Sequence, residues 1–213
     1  MQKILISLAA ITLVIFAGYC GYVLWANSAQ KVPYAVAQKW DNKMELRTYP
    51  PLVMAEVRMD KDFKTSGNEA FRLLFDYISG DNTGTSEIAM TAPVVQTQEN
   101  LKIEMTSPVL QSKPTNGAWV VAFILPSEYT LETAPQPANP MVELRQTEPH
   151  ETAAIRFSGS WSKKHFDKKA AQLAEALETK GIKFKPTPII ARYNPPFTPP
   201  FLRRNEVMYE LMN

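Results

Sequence analysis

Few side chains of this sequence could perform covalent or metal chemistry. The single cysteine, Cys20, lies inside an apolar N-terminal run, and the two histidines, His150 and His165, are fifteen residues apart on different predicted elements. A zinc site made of protein ligands alone takes Cys and His groups at short characteristic spacings, which this chain lacks. The sequence also contains no G-x-S-x-G nucleophile turn, phosphate loop or dinucleotide fingerprint. These absences favour a ligand-binding module over an enzyme.

Two consecutive arginines near the end of the chain are candidates for holding the acidic groups of a ligand. Arg203 and Arg204 follow an aromatic–proline loop over residues 195–201. Because guanidinium groups bind carboxylates through two parallel hydrogen bonds, the pair could hold carboxylates at the rim of a groove. The alternative is that both arginines are exposed, while Asn205 and Glu206 brace the loop against neighbouring backbone.

A second candidate is the apolar stripe of a predicted helix. Phe71, Leu74 and Phe75 recur at helical spacing and could form an apolar slot, with Arg72 beside them. Side chains at this spacing more often cover a sheet, so core packing is the favoured interpretation. Arg72 would then be a solvated flank of the helix.

Methionines occupy equivalent positions of a short repeat. EIAMTAPVVQ at 87–96 recurs as KIEMTSPVLQ at 102–111, which fits adjacent strands of one meander. Met90 and Met105 carry soft thioethers that could contact a ligand or a metal, although symmetric core filling is favoured. The proline inside each copy cannot donate to a strand ladder, so it indicates an edge, a bulge or a bend.

The remaining pattern predicts the elements that position these residues. Seventeen prolines against eight glycines favour a β-rich fold with stiff loops. Ser66-x-x-Glu69 is a capping-box pattern that opens a helix, which Gly80 can close. A second helix is predicted at about 162–180, with Gly181 behind it and a buried stripe of Phe166, Ala170, Leu173 and Leu177. Strands are predicted at 44–49, 52–59, 87–97, 101–111, 118–125, 142–147, 152–157, 189–193 and 207–211.

A longer internal repeat predicts how the domain is assembled. Glu45-Leu46-Arg47 recurs 98 residues later as Glu143-Leu144-Arg145, and Pro51 recurs as Pro149. The alignment needs no gap over fourteen positions, and a helix is predicted after each copy. The repeat therefore predicts a duplicated β-β-α-β unit with pseudo-two-fold symmetry.

The N-terminal segment predicts attachment to a membrane. Residues 4–26 carry no charge and, at about 1.5 Å per residue, are long enough for the ~30 Å hydrocarbon core. A signal peptide cleaved near 26–28 is the alternative, but its apolar region is usually only ~7–15 residues. Lys3 before the run favours a cytoplasmic N-terminus. Either interpretation gives residues 1–30 as an anchor or signal and residues 31–213 as a domain in the periplasm or another extracytoplasmic space.

The charge distribution gives no sign of nucleic-acid binding. The formal net charge is only +2, and the sequence has no stripe of interleaved basic and aromatic residues. Binding to a phosphate backbone requires a basic field of that kind. Nucleic acid is therefore not an expected partner.

Four stretches in order along the chain carry a resemblance to a known family. They are MELRTYPPLVMAEV at 44–57, AFRLLFDYISGDN at 70–82, IAMTAPVVQ at 88–96 and ARYNPPFTPPFLRRNEVMYEL at 191–211. The Met-Thr-Ala-Pro-Val block and the terminal Arg-Arg-Asn-Glu are the most specific parts. Together these stretches resemble the SOUL haem-binding family, and the duplicated Met-Thr-x-Pro-Val is similar to bacterial, membrane-anchored members.

The resemblance implies an α+β fold made of a distorted antiparallel β-barrel with two helices. It also implies non-covalent binding of haem or a related tetrapyrrole in a mostly apolar groove, without catalysis. Some animal members carry a histidine, suggested as an iron ligand, where this chain has Thr48, so the axial ligand is left unassigned. The residues that would form the apolar slot and meet the haem propionates are Phe71, Arg72, Leu74, Phe75, Met90, Arg203 and Arg204.

Two functions follow from these observations. One is a membrane-tethered tetrapyrrole binder that buffers or hands on haem. The other is a non-haem small-molecule sensor or protein-interaction domain, because related duplicated barrels bind varied apolar effectors. A fold alone does not decide between them. The missing histidine favours the second function and the family motifs favour the first.

Overall fold

The computed structural model describes residues 18–19, 21, 30–40, 43–85, 98–114 and 117–212. The strands are β1 (Gln30–Lys31), β2 (Ala35–Trp40), β3 (Met44–Tyr49), β4 (Val53–Met59), β5 (Asn82–Thr85), β6 (Gln98–Glu99), β7 (Thr106–Ser107), β8 (Val109–Ser112), β9 (Trp119–Ile124), β10 (Gln136–Pro137), β11 (Val142–Gln146), β12 (His150–Phe157), β13 (Ile189–Arg192) and β14 (Asn205–Glu210). The chain also forms the α-helices α1 (Phe63–Ser79) and α2 (Lys163–Thr179) and a short 3-10 helix at Pro200–Leu202.

A single large sheet organises the domain. Nine strands pair antiparallel in the order β11–β4–β9–β8–β13–β14–β12–β3–β2. Strand β1 pairs in parallel with β7, and β5 lies between β10 and β6 in a small separate sheet. With two helices packed on a large antiparallel sheet, the predicted α+β class is confirmed.

The predicted barrel is wrong, because the sheet is open. A closed barrel requires its first and last strands to pair, whereas among the described residues β11 pairs only with β4 and β2 only with β3. Both edges carry features that discourage further pairing. Strand β2 has a register shift between Val36 and Gln38 and is almost wholly exposed, and β11 displays the charged side chains of Glu143 and Arg145.

The two helices cover one face of the sheet and build two adjoining parts of the core. Along β4, Val53, Ala55 and Val57 alternate toward α1 and pack with Leu74. Along β12, the same two-residue period turns Ala153, Ile155 and Phe157 toward α2. The helix-covered face is therefore apolar along nearly its whole width.

Helix α1 begins earlier than its predicted capping box. Asp62 is the N-cap, and its carboxylate accepts hydrogen bonds from two first-turn backbone N–H groups at 3.0 and 3.1 Å. Ser66 lies inside the helix and is fully buried, so the prediction that Ser66 and Glu69 open the helix is wrong. Aspartate is as good an N-cap as serine, and it comes first in the chain. Gly80 ends the helix as predicted, with φ of 122°.

Helix α2 follows its prediction closely. Ser162 is the N-cap and accepts a hydrogen bond from the backbone N–H of His165. Gly181, just beyond the helix, adopts the left-handed φ of 67° that commonly ends helices. The buried residues are the four predicted ones, Phe166, Ala170, Leu173 and Leu177.

Strand pairing follows the 98-residue repeat in detail. Arg145 of β11 lies opposite Met54 of β4, and Arg47 of β3 lies opposite Thr152 of β12. Adding 98 to the first-half residues converts one register into the other without a shift. In each case the first strand of one repeat pairs with the second strand of the other. Superposition of the two units stays a prediction.

Two predicted segments lie largely outside the described residues. They are the membrane segment at 4–26, of which only residues 18, 19 and 21 are described, and the first methionine repeat at 87–96, which contains Met90. Within the described part of the chain, none of the helices combines the length and the apolar character needed to cross a membrane.

Candidate functional site

A cavity of about 460 Å³ lies between helix α1 and the segment that continues from β13. Small-molecule sites commonly have volumes of ~300–1,000 Å³. None of the described residues that line the cavity is acidic. They are Gly67, Asn68, Phe71, Arg72, Phe75, Met105, Thr106, Ser107, Val109, Trp161, Arg192, Tyr193, Asn194, Pro195 and Pro196.

Two stacked phenylalanines of α1 form the apolar wall of this cavity. The rings of Phe71 and Phe75 are nearly parallel, at 12°, with centroids 6.1 Å apart. Phe71 also packs edge-on against Phe123 of β9, with ring centroids 5.2 Å apart, which ties the wall to the core. Phe75 leaves 47% of its surface exposed. The pair thus offers an apolar, aromatic surface to a ligand.

Arg192 provides a partly buried cation inside the cavity. Its guanidinium lies over the rings of Phe63 and Trp161, with Cζ 5.3 and 5.5 Å from the two ring centroids. Burial lowers the pKa of Arg192 to about 10, so the side chain is still charged at neutral pH. Its Nε is buried without a hydrogen-bond partner. Among the described residues, no carboxylate forms a salt bridge with it.

Gln111 and Gly67 determine where this guanidinium lies. Nη2 of Arg192 donates to Oε1 of the buried Gln111, whose own Nε2 donates to the backbone carbonyl of Phe63 at 3.0 Å. A Cβ on Gly67 would lie 3.4 Å from both terminal nitrogens of Arg192 and 3.2 Å from the Gln111 oxygen. Glycine inside a helix is usually unfavourable, but at this position it lets the arginine approach α1 closely.

The structure separates the predicted helical stripe into two functions. Phe71, Arg72 and Phe75 line the cavity. Leu74 is fully buried and packs against the sheet. The helix therefore contributes both to the core and to the cavity, whereas the sequence offered these as alternatives.

Of the two methionines predicted as possible ligand contacts, Met105 lies among the described residues. Met105 lines the cavity and is 36% exposed, so this residue is part of the cavity wall instead of core filler. Pro108, close by in the same repeat, separates the short strand β7 from β8. Met90, the other predicted methionine, lies outside the described residues.

Arg203 holds the aromatic–proline loop in place. Its Nε and Nη2 donate to the backbone carbonyls of Thr198 and Pro196 at 2.7 and 2.9 Å. The guanidinium carbon lies 4.3 Å from the ring centroid of Trp161, which itself lines the cavity. The side chain of Asn205 was predicted to brace this loop, but it bonds the connection between β12 and α2 instead, accepting from the indole N–H of Trp161 and donating to the carbonyl of Gly159.

Arg204 forms a salt bridge with a buried carboxylate. Its Nε and Nη2 donate to Oε1 of Glu206 at 3.0 and 2.8 Å, and Arg47 donates to Oε2 at 2.6 Å. Tyr193 adds a hydroxyl donor to Oε2 at 2.8 Å. Burial by itself would raise the pKa of Glu206, but the hydrogen bonds and charges of Arg47 and Arg204 lower it below the ordinary value. Glu206 is thus an ionised core residue bound by side chains, not the predicted brace against backbone.

Neither histidine lines the cavity. His150 stacks on Tyr49 with ring centroids 5.4 Å apart, and His165 packs edge-on against Phe157 at 4.9 Å. Thr48 is exposed on β3. In the part of the chain that the structure describes, no group of three His, Cys, Asp or Glu side chains could hold a metal ion.

Arg192, the best-placed cation of the site, is not among the residues predicted from the sequence. The available signal was the run Ile189-Ile190-Ala191-Arg192, in which an arginine ends an otherwise apolar strand. Strand side chains alternate, so Arg192 shares a face with the buried Ile190. A charged residue on the inward face of a strand indicates a binding site more strongly than two arginines that follow a loop, such as Arg203 and Arg204.

Small-molecule sites in proteins are mostly apolar clefts with a few polar groups, and the cavity beside α1 has this character. Comparison with protein families agrees: the family model for SOUL heme-binding protein matches residues 29–210. The chain therefore belongs to the SOUL heme-binding protein family. No curated protein sequence matches the chain at a significant level.

Solved structures show the same fold at low sequence identity. The EcmrR C-terminal domain aligns with a TM-score of 0.54 and 8% identity, over 82% of this chain and 99% of that one. An uncharacterized conserved protein from Listeria innocua gives 0.51 and 13%, over 80% and 93%. A hydrolase from the same organism gives 0.50 and 13%, over 80% and 92%. Identities this low show a shared fold and nothing about activity.

Proposed function

We propose that this protein binds haem or a related tetrapyrrole non-covalently in the cavity beside α1, without catalysing a reaction. The observation that carries the proposal is the stacked Phe71–Phe75 wall of a mostly apolar cavity, in a member of a heme-binding family. Burying a flat apolar ring system against such a wall is favourable by ~25 cal/mol per Å².

The residues present fit the organic part of a tetrapyrrole. Phe71, Phe75 and Met105 would contact the macrocycle, and Arg192 and Arg72 supply cations for propionates. A bound haem would bring iron redox and ligand chemistry to the cavity. Of the side chains that ligate haem iron in proteins, Met105 and Tyr193 line the cavity and neither histidine does. Affinity should therefore rest on the macrocycle and its acidic groups more than on the metal.

We also propose that this binding domain lies outside the cytoplasm. Residues 4–26 would anchor it as a single membrane span, and residues 31–213 would form the domain.

A further proposal is that two β-β-α-β units arose by duplication. The identical pairing registers of β11 with β4 and of β12 with β3 support it.

The decisive experiment is a titration of the full-length protein in lipid nanodiscs with hemin and with iron-free protoporphyrin. Protein-free nanodiscs serve as the blank. Trp161 lines the cavity, so energy transfer from tryptophan to the porphyrin reports occupancy, with Trp161→Phe as the control for the signal. We expect saturable binding of both compounds with affinities within a few-fold of each other. Absence of saturable binding of either one would leave the non-haem sensor or interaction function as the better explanation.

A further inference from the structure

We infer that the cavity selects apolar ligands that carry a free carboxylate, and that Arg192 is the group that recognises this carboxylate. The inference rests on the proposed function for the location of the site and adds the chemical class of its ligand. Hemin and protoporphyrin belong to this class, and so does a simple long-chain acid.

The buried arginines of the domain support this inference by contrast. Arg47 and Arg204 both donate to the carboxylate of Glu206 within 3.1 Å. The guanidinium of Arg192 makes a single hydrogen bond with the described residues, to the neutral side chain of Gln111. Since a guanidinium carries five N–H donors, most of the Arg192 donors are left for another acceptor. A partly buried cation without a carboxylate of its own favours an anionic ligand.

The charge of the surrounding wall points the same way. The described lining residues contain two cations, Arg192 and Arg72, and no acidic side chain. An anionic group entering this cavity would therefore be attracted by these two cations and repelled by none of the described lining side chains. A small hydrophilic anion would leave the apolar Phe71–Phe75 wall uncovered. The cavity therefore fits an anion that also carries a large apolar part.

The guanidinium of Arg192 is also preorganised to bind a carboxylate. Gln111 fixes one terminal nitrogen, the rings of Phe63 and Trp161 support the plane, and Gly67 leaves room beside α1. A donor that is already oriented loses little freedom when it binds, which increases its contribution to selectivity. Hydrogen bonds from a charged donor to a carboxylate are among the strong ones.

The test compares protoporphyrin IX with its dimethyl ester on the full-length protein in nanodiscs. The two compounds share one macrocycle, and methylation of the two propionates removes their negative charge in the ester. We expect the unmodified protein to bind the acid about tenfold or more tightly than the ester. Arg192→Gln should remove this preference by weakening acid binding alone. Arg156→Gln, which removes an exposed arginine of β12 that does not line the cavity, should leave the preference in place.

The possible failures can be told apart. Equal binding of acid and ester by the unmodified protein would overturn the inference and leave the proposed function standing. If neither porphyrin binds, the proposed function fails. The inference is then tested by comparing the binding of dodecanoate with that of dodecanol, with Trp161 fluorescence as the readout.

If Arg192→Gln does not fold, Arg192→Lys takes its place. This variant keeps the charge but lacks the fork geometry and should lower the preference for the acid several-fold; an unchanged preference would count against Arg192.

Discussion

At the scale of single residues, the most consequential group is a carboxylate and not one of the predicted ligand-binding side chains. Glu206 is fully buried and accepts hydrogen bonds from Arg47, Arg204 and Tyr193. An isolated carboxylate in such a place would be strongly unfavourable, so its ionisation depends on these partners. The family's Arg-Arg-Asn-Glu motif thereby acquires a structural explanation in this chain.

We expect the protein to lose stability on acidification in a way that depends on Glu206. Its pKa in the folded protein lies below the 4.5 of an ordinary glutamate, because the arginine contacts outweigh burial. Between these two pKa values the unfolded chain binds more protons, so the free energy of unfolding falls as the pH decreases. Thermal unfolding from pH 7 to pH 3 should show this fall, and Glu206→Gln should reduce its slope. An unchanged slope in the variant would assign the acid sensitivity to other carboxylates.

The two consecutive arginines should respond differently to mutation. Arg204→Ala removes one partner of a buried carboxylate and should lower the free energy of unfolding by ~3–5 kcal/mol. Arg203→Ala removes two hydrogen bonds to loop carbonyls and should cost less, about 1–2 kcal/mol. Denaturant unfolding measures both changes. Equal losses would show that Glu206 is held mainly by Arg47.

At the scale of elements, α1 shows how one helix serves two surfaces. Leu74 and Phe75 are adjacent in sequence, but Leu74 is fully buried and Phe75 is 47% exposed. Leu74→Ala should cost ~2–5 kcal/mol of stability, as deletions in well-packed cores do. Phe75→Ala should cost under about 1 kcal/mol and should weaken porphyrin binding several-fold. Unfolding and titration of the two variants form a matched pair, and a Phe75 variant with unchanged affinity would remove α1 from the site.

The elements themselves were predictable where one local rule governs them. The buried stripe of α2 follows from helical spacing, and the end of α1 follows from Gly80. The start of α1 was missed because Asp62 and Ser66 are both good N-caps, and only packing makes Ser66 a buried helix residue. Strand β2 was missed because its residues are mostly exposed and carry no alternating pattern.

At the scale of the whole molecule, the cavity is a product of long-range assembly. It joins α1 with Arg192, which is more than a hundred residues away in the sequence. Helical periodicity in the sequence offered the α1 residues as one side of a site, as the alternative to core packing. For Arg192 the sequence shows only a charge at the end of an apolar strand, because no local pattern states which strand end will lie against Gly67. Sheet closure is equally non-local, which explains why α+β could be predicted but the open sheet could not.

The attachment of the whole molecule to a membrane can be tested directly. Residues 4–26 are uncharged and long enough to span a bilayer, so the full-length protein should stay with membranes after an alkaline carbonate wash. Protease added from the periplasmic side should digest the domain. As a matched control, Val14→Arg combined with Phe16→Arg should prevent stable insertion, since each arginine costs ~2.5–3.5 kcal/mol at the centre of a span. Recovery of a soluble form that begins near residue 29 would instead establish a cleaved signal peptide, and only the anchoring function of the segment would be lost.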